Sequence, residues 1–215
     1  DSDFSKSTGN HVSQSAGTTT IETTHFAPAP ISISLRGGAL SVTDSVFATS
    51  TTAIEVSPGT LHIAGNHFTA THAVWSSVGI AFSSDGNNVG EGDVYLGSTF
   101  LADTILYPEF PYVISGYATI PAGGSLSLLP GTIMKFATRS YLNVAGTLTT
   151  SSSTITSLTD DSVGGDTNHD GHATTPHAGD YCGILFYAGA VGNLEHTQIA
   201  YGGCSYWYNI NYERA

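Results

Sequence analysis

Ile33-Ser-Leu-Arg-Gly-Gly-Ala-Leu-Ser-Val-Thr-Asp-Ser-Val-Phe47 is echoed, at i+21, by Ile54-Glu-Val-Ser-Pro-Gly-Thr-Leu-His-Ile-Ala-Gly-Asn-His-Phe68. The overlay matches Ile33 with Ile54, Gly38 with Gly59, Leu40 with Leu61, Val42 with Ile63 and Phe47 with Phe68. The same shift reaches back to Ile21 and Phe26 and forward to Trp75. Apolar positions that recur in phase mark a chain built from stacked, near-identical units. Working outward, a second array repeats at i+22 and aligns Ile120 with Leu142, Leu126 with Leu148 and Ile133 with Ile155. Its Gly124-Ser-Leu126 matches Gly146-Thr-Leu148, and Cys182 and Cys204 also stand 22 apart.

A unit of this length suits a leucine-rich repeat or a β-helix. The segments decide between them: Ile31-Ser-Ile-Ser-Leu35 and Leu61-His-Ile63 are short, β-branched and alternating, with Gly or Asn at the bends. Helical periodicity is missing, as is the L-x-x-L-x-L spacing of leucine-rich repeats. The expected fold is therefore all-β, a right-handed parallel β-helix with coils of about 21–22 residues and three short strands per coil. Stacking at ~4.8 Å per coil predicts roughly eight or nine coils and about 40 Å of length. Residues 1–18 are expected to form an irregular lead or cap, and residues 19–215 the β-helix. Within it, residues 19–82 make the first array, 83–110 irregular coils with a loop, and 111–215 the second array. A domain boundary near residues 83–109 is the alternative.

Composition narrows the function classes. Only 10% of the 215 residues are charged, against roughly 25% in an ordinary soluble domain, and Ser, Thr, Gly and Asn take the polar positions instead. Seventeen acids face five bases (Lys6, Arg36, Lys135, Arg139 and Arg214), for a formal charge of −12. So few cations cannot neutralise a phosphate backbone or hold to an anionic membrane surface. Divalent cations are the partners such a surface favours. No apolar run approaches the ~18 residues that span a bilayer, so no membrane insertion is expected. The chain begins at Asp1 without a signal-peptide pattern, which suits either a processed start or an excised segment.

From Pro111-Tyr-Val113 onward the chain resembles a known family. The resemblance is carried by Ile120-Pro-Ala-Gly-Gly-Ser-Leu126, Pro130-Gly-Thr-Ile-Met-Lys-Phe136 and Tyr141-Leu-Asn-Val-Ala-Gly-Thr-Leu148. It continues through Ser157-Leu-Thr-Asp-Asp-Ser-Val-Gly-Gly-Asp-Thr-Asn168 to Gly179-Asp180, then Asn193-Leu-Glu-His-Thr-Gln-Ile199 and Tyr201-Gly-Gly203. These segments look like the right-handed parallel β-helix repeat proteins of bacterial surfaces. The resemblance implies a secreted, extracellular or cell-surface protein with an adhesive or structural task and no assigned catalysis. One departure stands out: Tyr181-Cys-Gly183 replaces the aromatic-Gly-Gly step usual in that family after Gly-Asp.

The Asp/Gly-rich stretch 159–180 carries the sharpest chemical signal. Asp166, Asn168 and Asp170 alternate, and Gly171 follows for the turn. Hard Ca²⁺ takes six to eight oxygens at 2.3–2.6 Å, and this spacing wraps oxygens around one point. The carbonyl of His172 is the natural next ligand, with Asp160, Asp161 or Asp180 supplying a further carboxylate. An EF-hand would need Glu where His177 stands, and flanking helices. The expected role of the ion is structural, stiffening an excursion from the coil; the alternative is a bare polar loop. A zinc site from His169, His172 and His177 beside Asp170 lacks the defined spacing of a closed tetrahedron. His62, His67, His72 and His196 sit singly and read as ordinary strand or bend side chains.

Cys182 and Cys204 stack if each coil is complete, which leaves a disulfide and two buried thiols as equal alternatives. Tyr201, Tyr206, Trp207, Tyr208 and Tyr212 make an aromatic C-terminal end, suited to packing a further coil, to assembly, or to stacking on sugars. Catalysis is weakly signalled. A uronate lyase needs Arg or Lys beside a metal, and only Lys135 and Arg139 are close in sequence. Asp160-Asp161 is a tandem pair whose side chains would diverge in a strand. The leading expectation is a non-catalytic structural or adhesive module that associates with itself, even into end-to-end filaments. Binding of a surface glycan and polysaccharide cleavage are the two rivals.

Overall fold

The computed structural model describes residues 2–4, 9–76, 78–100 and 103–204. They form an all-β parallel solenoid of about seven turns, with coils of about 21 residues. Tyr206, Trp207, Tyr208 and Tyr212 lie outside the described residues, as do Lys6 and Arg214.

One sheet runs the length of the stack. It climbs through Val12–Gln14, Ile31–Leu35, Val46–Val56, His67–Ser76, Val89–Leu96, Tyr112–Ile114, Ile133–Phe136, Thr154–Ser157 and Gln198–Ile199, every pairing parallel. The strands Val46–Val56, His67–Ser76 and Val89–Leu96 are long enough to turn a corner, so their first halves extend a column begun by Ser2–Phe4 and Thr24–Phe26. The remaining face is Thr18–Glu22, Ala39–Thr43, Gly59–Ala64 and Ile80–Ser84 in the first part. In the second part the other two faces are Tyr117–Ile120, Tyr141–Val144, Gly183–Phe186 and Thr104–Leu106, Ser125–Leu128, Thr147–Ser151, Val191–Glu195. Ser2–Phe4 and Val12–Gln14 pair in parallel with Thr24–Phe26 and Ile31–Leu35. Val89–Leu96 pairs with His67–Ser76 on one edge and Tyr112–Ile114 on the other, which carries the sheet through the 83–110 region.

The interior is made of ladders. Ile21, Val42 and Ile63 are direct neighbours, as are Leu40 and Leu61. Phe26 stacks on Phe47 at 4.6 Å and Phe47 on Phe68 at 4.9 Å between ring centroids, all three fully buried. The stack ends edge-on against Phe110. A polar ladder runs beside it at a bend. The Thr24 N–H donates to Ser45 Oγ (3.1 Å), the Ser45 N–H to Asn66 Oδ1 (3.0 Å), the Asn66 N–H to Asn88 Oδ1 (3.1 Å) and the Asn88 N–H to Glu109 Oε2 (2.7 Å). A bend takes these N–H groups out of the strand ladder, and a buried orphan donor costs ~1–3 kcal/mol, so each coil caps the one before it.

Three expected alignments slip. Ile54 pairs with Val74, not Trp75, because the coil is one residue shorter there, with a register shift between Phe47 and Ser50. Trp75 therefore faces outward and stacks on Tyr95 at 4.2 Å. Leu142 pairs with Ala118 rather than Ile120, and Ile155 with Met134 rather than Ile133. The turns differ in length, so no single period serves all faces. About seven turns replace the eight or nine expected. One reason is that the step from Ile155 to its stacked partner Ile199 consumes two coils' worth of chain. The surplus forms the excursion between Thr154–Ser157 and Gly183–Phe186.

Candidate metal centre

Ile133–Phe136 alternates: Met134 and Phe136 point into the core, so Lys135 must face outward. Yet Lys135 is fully buried, and so are Val113 and Thr156, its neighbours above and below in the sheet. The cover is the excursion, which folds back over the outer face. Lys135 Nζ donates to the carbonyls of Asp160 (3.0 Å) and Gly165 (2.8 Å), so it pins the loop. Burial pulls its pKa below the ordinary lysine value, opposed by the carboxylates of Asp161, Asp160, Asp166 and Asp93. Gly164 lies flat on the wall at φ +68, where a Cβ would stand 3.1 Å from Pro111 Cγ and 3.4 Å from Lys135 Cε. Only glycine combines that conformation with that approach.

Above this platform Asp161, Asp166 and Asp170 converge, each offering a carboxylate oxygen within 4.8 Å of the others. The local fold explains the convergence. Asp166 accepts the Asp170 N–H (3.1 Å) and the Gly171 N–H (2.9 Å), closing the turn. Asp170 is held below the usual carboxylate range by the Thr174 hydroxyl, then by the N–H groups of Ala173 and Thr174 and the Asn168 amide. Gly171 at φ 67 makes the sharp bend expected of it, and His172 follows in the same left-handed region. Asp161 Oδ1 and Asn168 Oδ1 are buried and accept no hydrogen bond among the described residues. The three carboxylates form a hard, oxygen-only donor set, which suits Ca²⁺ better than a softer ion.

Two other candidate carboxylates, Asp180 and Asp160, go elsewhere, while the ring of His172 turns to the trio. His172 directs Nδ1 to Asp161 Oδ2 at 2.6 Å, and that bond and charge raise its pKa above the ordinary histidine value. Asp180 does not join the trio. Its Oδ2 accepts Ser157 Oγ (2.7 Å), Thr159 Oγ1 (3.0 Å) and the His177 N–H (3.0 Å), closing the base of the loop. Burial alone would raise the Asp180 pKa, but these bonds hold it below the usual range. Asp160, tandem with Asp161, turns to Thr156 and Ser162 instead. His169, His172 and His177 do not converge, which disposes of zinc at those three.

Cys182 and Cys204 are joined, with Cα atoms 4.4 Å apart, beside the bridge between Tyr181 and Gly202. The disulfide ties the returning end of the loop to the last coil. A groove of about 270 Å³ opens where the loop meets the earlier wall, lined by Glu91, Asp93, Glu109, Phe110, Asp166 and His169 among others. Asp93 and His72 carried no signal in the sequence, because their significance depends on His169 arriving from the loop. Comparison with known proteins gives no match to a family model, a curated protein or a solved structure.

Proposed function

We propose that this chain is a non-catalytic structural or adhesive module of a secreted or cell-surface protein, of the kind the bacterial surface repeats represent. It associates with further copies end to end, and its loop is stiffened by Ca²⁺ at Asp161, Asp166, Asn168 and Asp170. The observation that carries this reading is the last coil. Gly183–Phe186, Val191–Glu195 and Gln198–Ile199 each pair along one edge only among the described residues. Val191 (47% exposed), Leu194 (41%) and Ile199 (49%) stand in solvent there. Unpaired edges with apolar side chains are templates for another strand, from further coils of the same chain or from a second copy. The disulfide supports an oxidising, extracellular setting. In sedimentation velocity across a concentration series, with and without EDTA, the module grows beyond a monomer and chelation lowers its melting temperature. A monomer at every concentration removes the assembly claim, and a melt indifferent to EDTA removes the calcium claim.

The groove favours a second reading, carbohydrate binding or polysaccharide cleavage, since Glu91, Asp93, Glu109 and Asp166 all line it. New reducing ends or unsaturated uronates released from acidic polymers would establish it.

A further inference from the structure

At the mouth of the groove, the wall and the loop bring together a set of side chains distinct from the oxygen-only trio. His72 Nδ1 lies 2.6 Å from Asp93 Oδ1, and His169 Nε2 lies 3.1 Å from Asp93 Oδ2. One ligand atom from each of the three sits within 4.8 Å of the other two. His72 and Asp93 are direct neighbours on successive coils, and His169 descends from the loop. We infer that His72, Asp93 and His169 form a binding site for a borderline transition-metal ion of the Zn²⁺ class, with one coordination position open to the groove.

Three observations point to a cation. Asp93 is only 1% exposed, and among the described residues no lysine or arginine makes an ion pair with it. Lys135 acts on it electrostatically without pairing with it, so a buried carboxylate flanked by two imidazoles favours an ion between them. The backbone is deformed to place it: pairing with His67–Ser76 shifts register on both sides of Asp93. Gly90 precedes the deformation and Gly92 lies within it, at φ 115 and 122, and a Cβ on Gly92 would meet Ala70 O at 2.8 Å. Bulges of this kind re-aim a side chain beside functional sites. The histidine at its centre is also braced, with the Trp75 ring 4.7 Å away and Tyr95 5.0 Å away.

The donor set fits the ion. Zn²⁺ takes imidazole nitrogen at about 2.0–2.1 Å and carboxylate oxygen at about 2.0–2.2 Å, which puts ligand atoms about 3.3 Å apart in a tetrahedron. The contacts, 2.6 Å to one carboxylate oxygen of Asp93 and 3.1 Å to the other, reach that by opening about 0.7 and about 0.2 Å. Two imidazoles and one carboxylate leave the fourth position to water or to a ligand in the groove. Such an ion would also clamp the loop to the earlier wall, since His169 is the loop's contribution. The inference is independent of the Ca²⁺ site and of end-to-end assembly.

The test is titration of the metal-free full chain with Co²⁺, read by its visible absorption, followed by competition with Zn²⁺. The wild type takes up one equivalent that Zn²⁺ displaces. His169→Ala, on the exposed side of the site, weakens binding at least tenfold, since even outer-shell changes cost about 10–100-fold. His72→Ala and Asp93→Asn do the same. Excess Ca²⁺, which suits the oxygen trio, does not displace the Co²⁺, so this result and that for Ca²⁺ fail separately. If His72→Ala or Asp93→Asn does not fold, His169→Ala decides alone, with its far-UV circular dichroism as the folding check. No Co²⁺ uptake by the wild type, or equal uptake by His169→Ala, overturns the inference.

Discussion

The first and second halves of the solenoid solve the same problem in different ways. In the first, Ile21, Val42, Ile63 and Ser84 stack at equal steps of 21. Equal coils put like side chains over like, so aromatic rings stack and a bend residue in each coil caps the previous one. In the second, Tyr117 stacks on Tyr141, a step of 24, while Leu126 stacks on Leu148, a step of 22, and Met134 on Ile155, a step of 21. The last coil then requires nearly double that length of chain between Leu142 and Ile184. With unequal coils the bends do not superpose, and no comparable chain of capping side chains forms among the described residues. Cohesion there rests on an outside cover: a loop pinned by Lys135, closed by Asp180 and tied by a disulfide. A repeat stabilises itself by sameness; an interrupted repeat needs fasteners.

The most damaging way to test that contrast is to remove one rung of the regular half. Phe47 has an aromatic ring on each side, so Phe47→Ala opens a hole in a continuous stack. It should cost about 4 kcal/mol in urea unfolding. A loss below about 1 kcal/mol would mean that the ring column is ornamental. Next is the fastener of the irregular half. Reducing the disulfide frees a 22-residue closure and should cost about 3 kcal/mol. Hydrogen exchange should accelerate in the loop and last coil, while the Phe26 to Phe68 coils stay protected. Uniform acceleration would show that the halves are not separable.

The smallest effect comes from Asp180, whose folded pKa lies below its unfolded one. A depressed carboxylate contributes stability above the ordinary Asp range and loses it as pH falls through the folded pKa. Asp180→Asn should therefore cost about 1 kcal/mol or less at neutral pH, and the gap to wild type should close in acid. A difference that widens on acidification would refute the assignment.

The ladders of the first half were legible because stacked side chains there are chemically alike and evenly spaced. The capping ladder through Ser45, Asn66 and Asn88 recurs at spacings of 21 and 22 but escaped the sequence reading, because its residues are small and polar and resemble bend composition. The slips at Trp75, Ile120 and Ile133 were not legible. An apolar residue one place off remains apolar, and turn length leaves no mark on a hydrophobic pattern. Of the expected metal ligands, Asp161, Asp166 and Asp170 meet because local turns bring them together. Asp180 is spent on closing the loop.

From the chain of residues alone came the architecture and the oxygen-rich turn. Both are encoded locally, one by period and the other by alternating Asp and Asn before a glycine. Only the folded molecule decided where the excursion lies. Its docking on the outer wall buries Lys135 and carries His169 to His72 and Asp93, through contacts between segments that share no local pattern. The side of a coil that a long loop covers is set by where the loop can bury its backbone and satisfy its carbonyls. Lys135, rising from a strand to meet two of them, supplied that answer.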